Sequence, residues 1–194
     1  MRNGGVRATV VAVAFSVLAG CATSSLSPPP DRSYSGRFSA TTLVATAAGE
    51  QRESVSGRFN FEIRGDHRRL ELASPLGTTV ARIDVEPGSA RATGAQMQEV
   101  RGTDADALTE QLLGWRLPVT GLTDWIEGRP VPDRPARVER ENGRIVAIEQ
   151  DGWIIRLPEA FELNARPRRL HLERPGALNA PAVDLRLIVD EPTG

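Results

Sequence analysis

No lysine occurs in the 194 residues, so every basic side chain is an arginine. With 24 basic against 25 acidic residues and no basic run, nothing points to nucleic acid or to a polybasic membrane contact. There are only two histidines, His67 and His171, both close to arginine in sequence and in strand-like surroundings, and read as ordinary solvated residues. The single cysteine, Cys21, excludes an internal disulfide. No H-E-x-x-H, no G-x-S-x-G and no phosphate-cradling glycine loop is present, so metal and nucleophile chemistry both lack support, and no cofactor is expected. Asp104 and Asp106 form the nearest thing to a carboxylate pair, but their place at a helix start makes capping the better account.

What the chain does have begins at its first residue. Arg2 and Arg7 precede an uncharged stretch, residues 8–20, that ends in small residues, the pattern of an export signal. Its apolar part is shorter than the roughly 20 residues a bilayer span needs. Leu18-Ala19-Gly20-Cys21 matches the lipobox of bacterial lipoproteins, in which the cysteine is acylated and becomes the first residue of the mature chain. This gives the lone exported thiol a role. Ala22, where Asp would retain a lipoprotein in the inner membrane, implies export to the outer membrane. Residues 1–20 are thus a signal peptide, 21–35 a lipidated N-terminus and tether, and 36–194 a single domain. The tether is rich in Ser and Pro, and at about 3 Å per residue it could hold the domain up to roughly 40 Å from the lipid.

From Gly36 onward the signal is alternation with period two. Val55, Gly57, Phe59, Phe61 and Ile63 alternate with Ser54, Ser56, Arg58, Asn60, Glu62 and Arg64, which predicts a strand with one wet face. The pattern returns at Leu70 and Leu72, at Ala81, Ile83 and Val85, at Trp153, Ile155 and Leu157, at Leu170 and Leu172, and from Val183 to Val189. Glu86-Pro87-Gly88 and Glu141-Asn142-Gly143 are hairpin signals, the second because Asn-Gly accepts positive φ at both positions. The expected fold is mainly β, one curved antiparallel sheet or incomplete barrel with an apolar inside. Two segments break the period. Asp104 can cap a helix carrying Ala105, Leu108 and Leu112 and ending before Gly114; a second fits residues 118–127, carrying Val119, Leu122, Trp125 and Ile126 and stopped by Gly128 and Pro130. Two short helices in mid-chain would cover the concave face.

Two features keep alternative readings. Trp115, Trp125 and Trp153 are either plain core or the lining of a cavity between helices and sheet. Leu76 stands between Pro75 and Gly77, where the chain should turn, so it is exposed, either as a scattered surface leucine or as a membrane or partner contact.

Several motifs coincide in order with one family. The lipobox at Cys21, Gly36-Arg37-Phe38, Ser56-Gly57-Arg58-Phe59, Ser74-Pro75-Leu76-Gly77, Gly114-Trp115-Arg116-Leu117-Pro118-Val119, Leu122, Trp125-Ile126-Glu127-Gly128, Pro130 and Gln150-Asp151-Gly152-Trp153 resemble the LolB family of outer-membrane lipoproteins. The resemblance implies an incomplete antiparallel barrel with a helical lid over an apolar cavity for acyl chains, lined here by Phe38, Phe59, Phe61, Leu70, Leu72, Leu112, Leu122, Trp125, Ile126 and Trp153. It implies a non-enzymatic monomer at the inner leaflet of the outer membrane that accepts lipoproteins from the carrier LolA, with the loop of Pro75, Leu76 and Gly77 helping to insert them. A lipid or glycolipid carrier of the same architecture is the alternative.

Overall fold

The computed structural model describes residues 29–46, 49–95, 97–162, 164–177 and 180–191. Cys21, the signal peptide and the first part of the tether lie outside the described residues.

Alternation sends every second side chain to one face, and the chain accordingly builds a single 11-stranded sheet. The strands are β1 (Arg32–Thr46), β2 (Gly49–Arg64), β3 (His67–Ala73), β4 (Thr79–Glu86), β5 (Ser89–Gly94), β6 (Met97–Gly102), β7 (Ala136–Glu141), β8 (Arg144–Gln150), β9 (Trp153–Ala160), β10 (Pro167–Arg174) and β11 (Ala182–Val189). Helices α1 (Ala105–Leu113) and α2 (Val119–Trp125) lie between β6 and β7. The strand order is β6-β5-β4-β3-β2-β1-β11-β10-β9-β8-β7, with every described neighbour pair antiparallel.

Two meanders are therefore sewn together by the pairing of β1 with β11, which runs from Gly36↔Val189 to Leu43↔Ala182. The sheet does not close, because β6 and β7 are its two edges. The helices occupy the connection from one edge to the other, which places them across the gap an unclosed barrel leaves. The apolar face is continuous: Phe59, Phe61, Ile63, Leu70, Ile83, Ile155, Leu170, Leu172 and Leu185 are buried, and α1 and α2 add Leu108, Leu122 and Trp125 to the same cluster. Among the described residues, each core residue lies between Tyr34 and Val189.

Sheet curvature has a visible cause on β1 and β2. Gly36 pairs with Phe59 and Gly57 with Phe38. A Cβ on Gly36 would stand 2.1 Å from the Ile188 carbonyl oxygen, and one on Gly57 would stand 2.0 Å from that of Ala73. The two phenylalanine rings lie over the two glycines, so aromatic area covers backbone that no side chain could.

The turns follow the residues. Asn142 (φ 51°) and Gly143 (φ 82°) both take positive φ between the paired Glu141 and Arg144. Asp104 accepts from the Ala107 N–H at 3.1 Å, and Gly114, at φ 78°, ends α1 by donating to the Glu110 carbonyl. The second helix is shorter than residues 118–127: α2 stops at Trp125, and Glu127 and Gly128 turn back onto Asp124 and Trp125.

Two local differences from the sequence reading have the same origin, pairing between distant segments. The first strand starts at Arg32, opposite Ile63, rather than at Gly36, because Tyr34 faces inward and is buried beside Phe61. Val55, assigned to the apolar face, is 46% exposed. The β1–β2 hairpin outruns β3, which ends at Ala73 opposite Arg58, so no strand on that side shelters Val55.

Candidate functional site

The residues expected to face acyl chains are brought together. Phe38, Phe59, Phe61, Leu70, Leu72, Leu122, Trp125, Ile126 and Trp153 are buried in one cluster, and Leu112 is partly buried against it. In this conformation they pack on one another. A small recess of about 130 Å³ opens beside Trp125 and Trp153, bounded by Asp106, Gly121 and Arg174. The lid is shut over this apolar cluster.

What shuts it is a set of polar clasps on α2, which the sequence reading missed. Gln150 at the end of β8 is 3% exposed. Its Oε1 accepts from Trp125 Nε1 at 2.9 Å and from the Val131 N–H at 2.8 Å, while its Nε2 donates to the carbonyls of Val131 (3.0 Å) and Arg134 (3.3 Å). Arg68 Nε on β3 donates to Thr123 Oγ1 at 3.1 Å, and the Tyr34 hydroxyl on β1 donates to Glu127. Three strands thus grip one short helix and the turn behind it. No side-chain nitrogen or oxygen buried among the described residues lacks a partner. A signal did exist: Gln150 shares the inward parity of Ile148, and a polar residue at an apolar position needs buried partners.

The two aspartates at the start of α1 separate in role. Asp104 caps, and its carboxyl is held below the usual range: burial pushes it up, but the Ala107 N–H and Arg116 outweigh that. Asp106 accepts from the Thr120 N–H (3.2 Å) and hydroxyl (3.1 Å), joining the first turn of α1 to that of α2. Burial raises its pKa despite those bonds.

Leu76 is 95% exposed. The Gly77 N–H donates to the Ser74 carbonyl at 2.9 Å, closing a β-turn with Pro75 and Leu76 at its corners, and Gly77 follows at φ 88°. The Thr78 N–H donates to Ser74 Oγ, and the Ser74 N–H to the Thr78 carbonyl. A proline, a glycine and three hydrogen bonds fix a loop whose only large apolar side chain points into solvent.

The histidines stay on the surface side. His67 is 3.7 Å from Glu86. His171 Nε2 lies 3.0 Å from Asp184 and 3.6 Å from Glu173, and these three could approach one metal ion. Arg186 and Arg156 already hold the two carboxylates, so a cation there would have to displace them.

Comparison with known proteins bears on the whole arrangement. The family model described as "Outer membrane lipoprotein LolB" matches residues 31–191. The chain belongs to the LolB family. It is 40% identical to the outer-membrane lipoprotein LolB of Cupriavidus pinatubonensis over 82% of this chain and 78% of that protein. Similarity to the LolB proteins of Ralstonia nicotianae (37%; 95% of each chain) and Thiobacillus denitrificans (38%; 95% and 96%) runs nearly end to end. No helix among the described residues is long and apolar enough to cross a membrane.

Proposed function

We propose that this LolB-family chain is anchored in the outer membrane through acylated Cys21, takes lipoproteins from the periplasmic carrier LolA, and inserts them into the inner leaflet. The observation that carries the reading, beside family membership, is the pairing of an apolar interior under a short clasped lid with a rigid loop offering one exposed leucine. The leucine gives the chain an apolar contact for a bilayer, and a purely structural lipoprotein would have no use for the lid.

The energetics fix the order of events. At about 0.8 kcal/mol per buried methylene, releasing one acyl chain into water costs on the order of 10 kcal/mol, so cargo does not diffuse free. The chain passes from LolA's cavity to the space beneath α1 and α2, and from there to the bilayer. Phe38, Phe59, Phe61, Leu70, Leu72, Leu112, Leu122, Trp125, Ile126 and Trp153 part to receive it, which requires α2 to slacken against its clasps. Leu76, with Pro75 and Gly77 holding it out, meets the lipid. The protein works by binding and handing over, with no covalent step and no cofactor.

The test is transfer in two stages. Carrier loaded with a radiolabelled lipoprotein is mixed with this chain, and the complex is then given outer-membrane vesicles. Cargo should appear first on this chain and then in the vesicles. Purification with bound phospholipid alone, and no uptake from the carrier, would instead identify a lipid carrier of the same architecture.

A further inference from the structure

Most arginines on the outer face of the sheet are matched to acids: Arg69 to Asp84, Arg82 to Glu71, Arg156 to Glu173, Arg186 to Asp184. Two that stand side by side are not. Arg37 on β1 and Arg58 on β2 are direct cross-strand partners, with Cα atoms about 5 Å apart in such a pair. Both are exposed, and among the described residues neither has an ion pair or hydrogen bond. Arg52, on the same face of β2, has none either. Like charges directly opposite one another destabilise a sheet, so this pair works against the fold unless something outside the chain neutralises it.

The row continues in register. Arg37 pairs with Ile188 on β11, and Ile188 with Arg169 on β10. Between them lies an open groove of about 520 Å³, lined by Arg37, Arg169, Arg186 and His171 over Ile188, with no carboxylate among its lining residues. Arg169 shares its one acid, Glu159, with Arg168, and Asp184 is shared by Arg186 and His171. The face is cationic although the chain as a whole is slightly acidic.

The other end of the row gives its location. Arg58 pairs with Ala73, the last residue of β3 before the turn that carries Leu76. The arginines therefore begin at the root of the exposed loop and extend across three strand spacings, roughly 14 Å, from Arg58 to Arg169. One phosphate group cannot touch both ends, whereas a surface of many can.

We infer that Arg37 and Arg58, continued by Arg169 and Arg186, are a docking surface for the phosphate headgroups of anionic phospholipids in the bilayer that Leu76 enters. The inference rests on the proposed membrane role of the loop and assigns the polar half of that contact. Leucine supplies apolar insertion, and the arginines supply attraction to headgroups beside it. Arginine suits the task, because its planar guanidinium matches phosphate oxygens in pairs and keeps its charge at any physiological pH.

The experiment uses the chain beginning at residue 22, which keeps every core residue among the described residues and lacks the cysteine whose acyl anchor would bind any vesicle. Affinity is measured by co-sedimentation with phosphatidylcholine vesicles, with or without phosphatidylglycerol. At about fivefold per arginine near an anionic surface, Arg37→Gln/Arg58→Gln should lose roughly 25-fold in affinity for the anionic vesicles and little for the neutral ones. Its melting temperature should hold or rise, since a repulsion is removed. The wild-type preference should fade between 0.1 M and 1 M salt, as the Debye length falls from about 10 to 3 Å. A charge-matched control, Arg101→Gln/Arg137→Gln on the two sheet edges, should keep most of the preference. Unchanged affinity in the Arg37/Arg58 variant, or an equal loss in the control, would overturn the inference. So would normal vesicle binding with slowed uptake from the carrier, which would assign the arginines to an acidic protein partner. Leu76→Gln, measured beside these, removes the apolar insertion without adding charge and should weaken binding to both vesicle types alike. If it does not, the loop reading fails, and the anionic-vesicle result still decides the arginine row by itself.

Discussion

Replacing Gln150 with leucine tests whether α2 is held by its clasp or merely by apolar contact. The two side chains are similar in size, so the change removes hydrogen bonds while largely sparing volume. Four are lost: those from Trp125 Nε1 and the Val131 N–H, and those to the Val131 and Arg134 carbonyls. Arg134 is exposed, and water can replace its partner. Trp125 is fully buried and Val131 partly so; a buried donor or acceptor left without a partner costs about 1–3 kcal/mol. The sum, after relaxation, is about 3 kcal/mol, a large share of a typical domain's stability. In urea, with m near 1–3 kcal/mol/M, the midpoint should fall by about 1–3 M with m unchanged. Tryptophan fluorescence reports it. A double-mutant cycle with Trp125→Phe should show about 1 kcal/mol of coupling through the indole N–H. Because a slack lid opens more often, a fluorescent fatty-acyl probe should bind Gln150→Leu faster than wild type. A loss below about 1 kcal/mol with zero coupling would refute the clasp, and unchanged probe kinetics would detach it from cargo uptake.

Three further outcomes are expected. Cys21→Ala should abolish acylation and signal processing at that site, read by mass spectrometry of the membrane fraction. Leu76→Glu should change stability by less than about 0.5 kcal/mol, because the side chain touches solvent, yet cargo-bound protein should accumulate when vesicles are added; normal insertion, or a lowered melting temperature, would count against the loop. Asp106 has a raised pKa, so it favours the folded state below the unfolded value of 3.8 and loses that contribution as pH climbs through its folded value; Asp106→Asn should flatten this slope in melting temperature against pH. Glu71, Asp104 and Asp184 act oppositely, since their lowered values give stability that is present above about pH 4 and lost on acidification.

How much of this was legible depends on whether the cause is local. A strand with one buried face writes its period into neighbouring residues, so Phe59 and Phe61 could be placed inward from the sequence. Caps and turns are local too, and Asp104, Gly114 and Asn142-Gly143 do what their chemistry dictates. The pairing of β1 with β11 is not local. Nothing near Tyr34 says that Glu127, 93 residues away, receives its hydroxyl, and nothing near Val55 says that β3 stops short of it. Gln150 lies between: its inward parity was visible, but its partners on α2 and in the segment after it were not. Leu76 was legible as exposed, while the unneutralised arginines that begin beside its loop became visible only once strand register put Arg37 opposite Arg58.

A closed apolar cluster sharpens the proposed mechanism rather than opposing it. A permanent apolar void would hold an acyl chain with the whole of its transfer energy and would have no reason to release it. Here, admitting a chain means uncovering Leu122, Trp125 and Ile126, each of which gains about 1.5–3 kcal/mol from burial. That opening offsets much of the roughly 10 kcal/mol that enclosing the chain supplies. The bilayer offers the chain a comparable apolar environment without asking for any uncovering. When cargo leaves, the lid closes on its own core and the clasps at Gln150, Thr123 and Glu127 re-form. On the proposed mechanism, this re-closing rather than nucleotide energy makes the chain a weaker holder than the membrane beside it, and an acyl anchor at Cys21 would keep that membrane within reach.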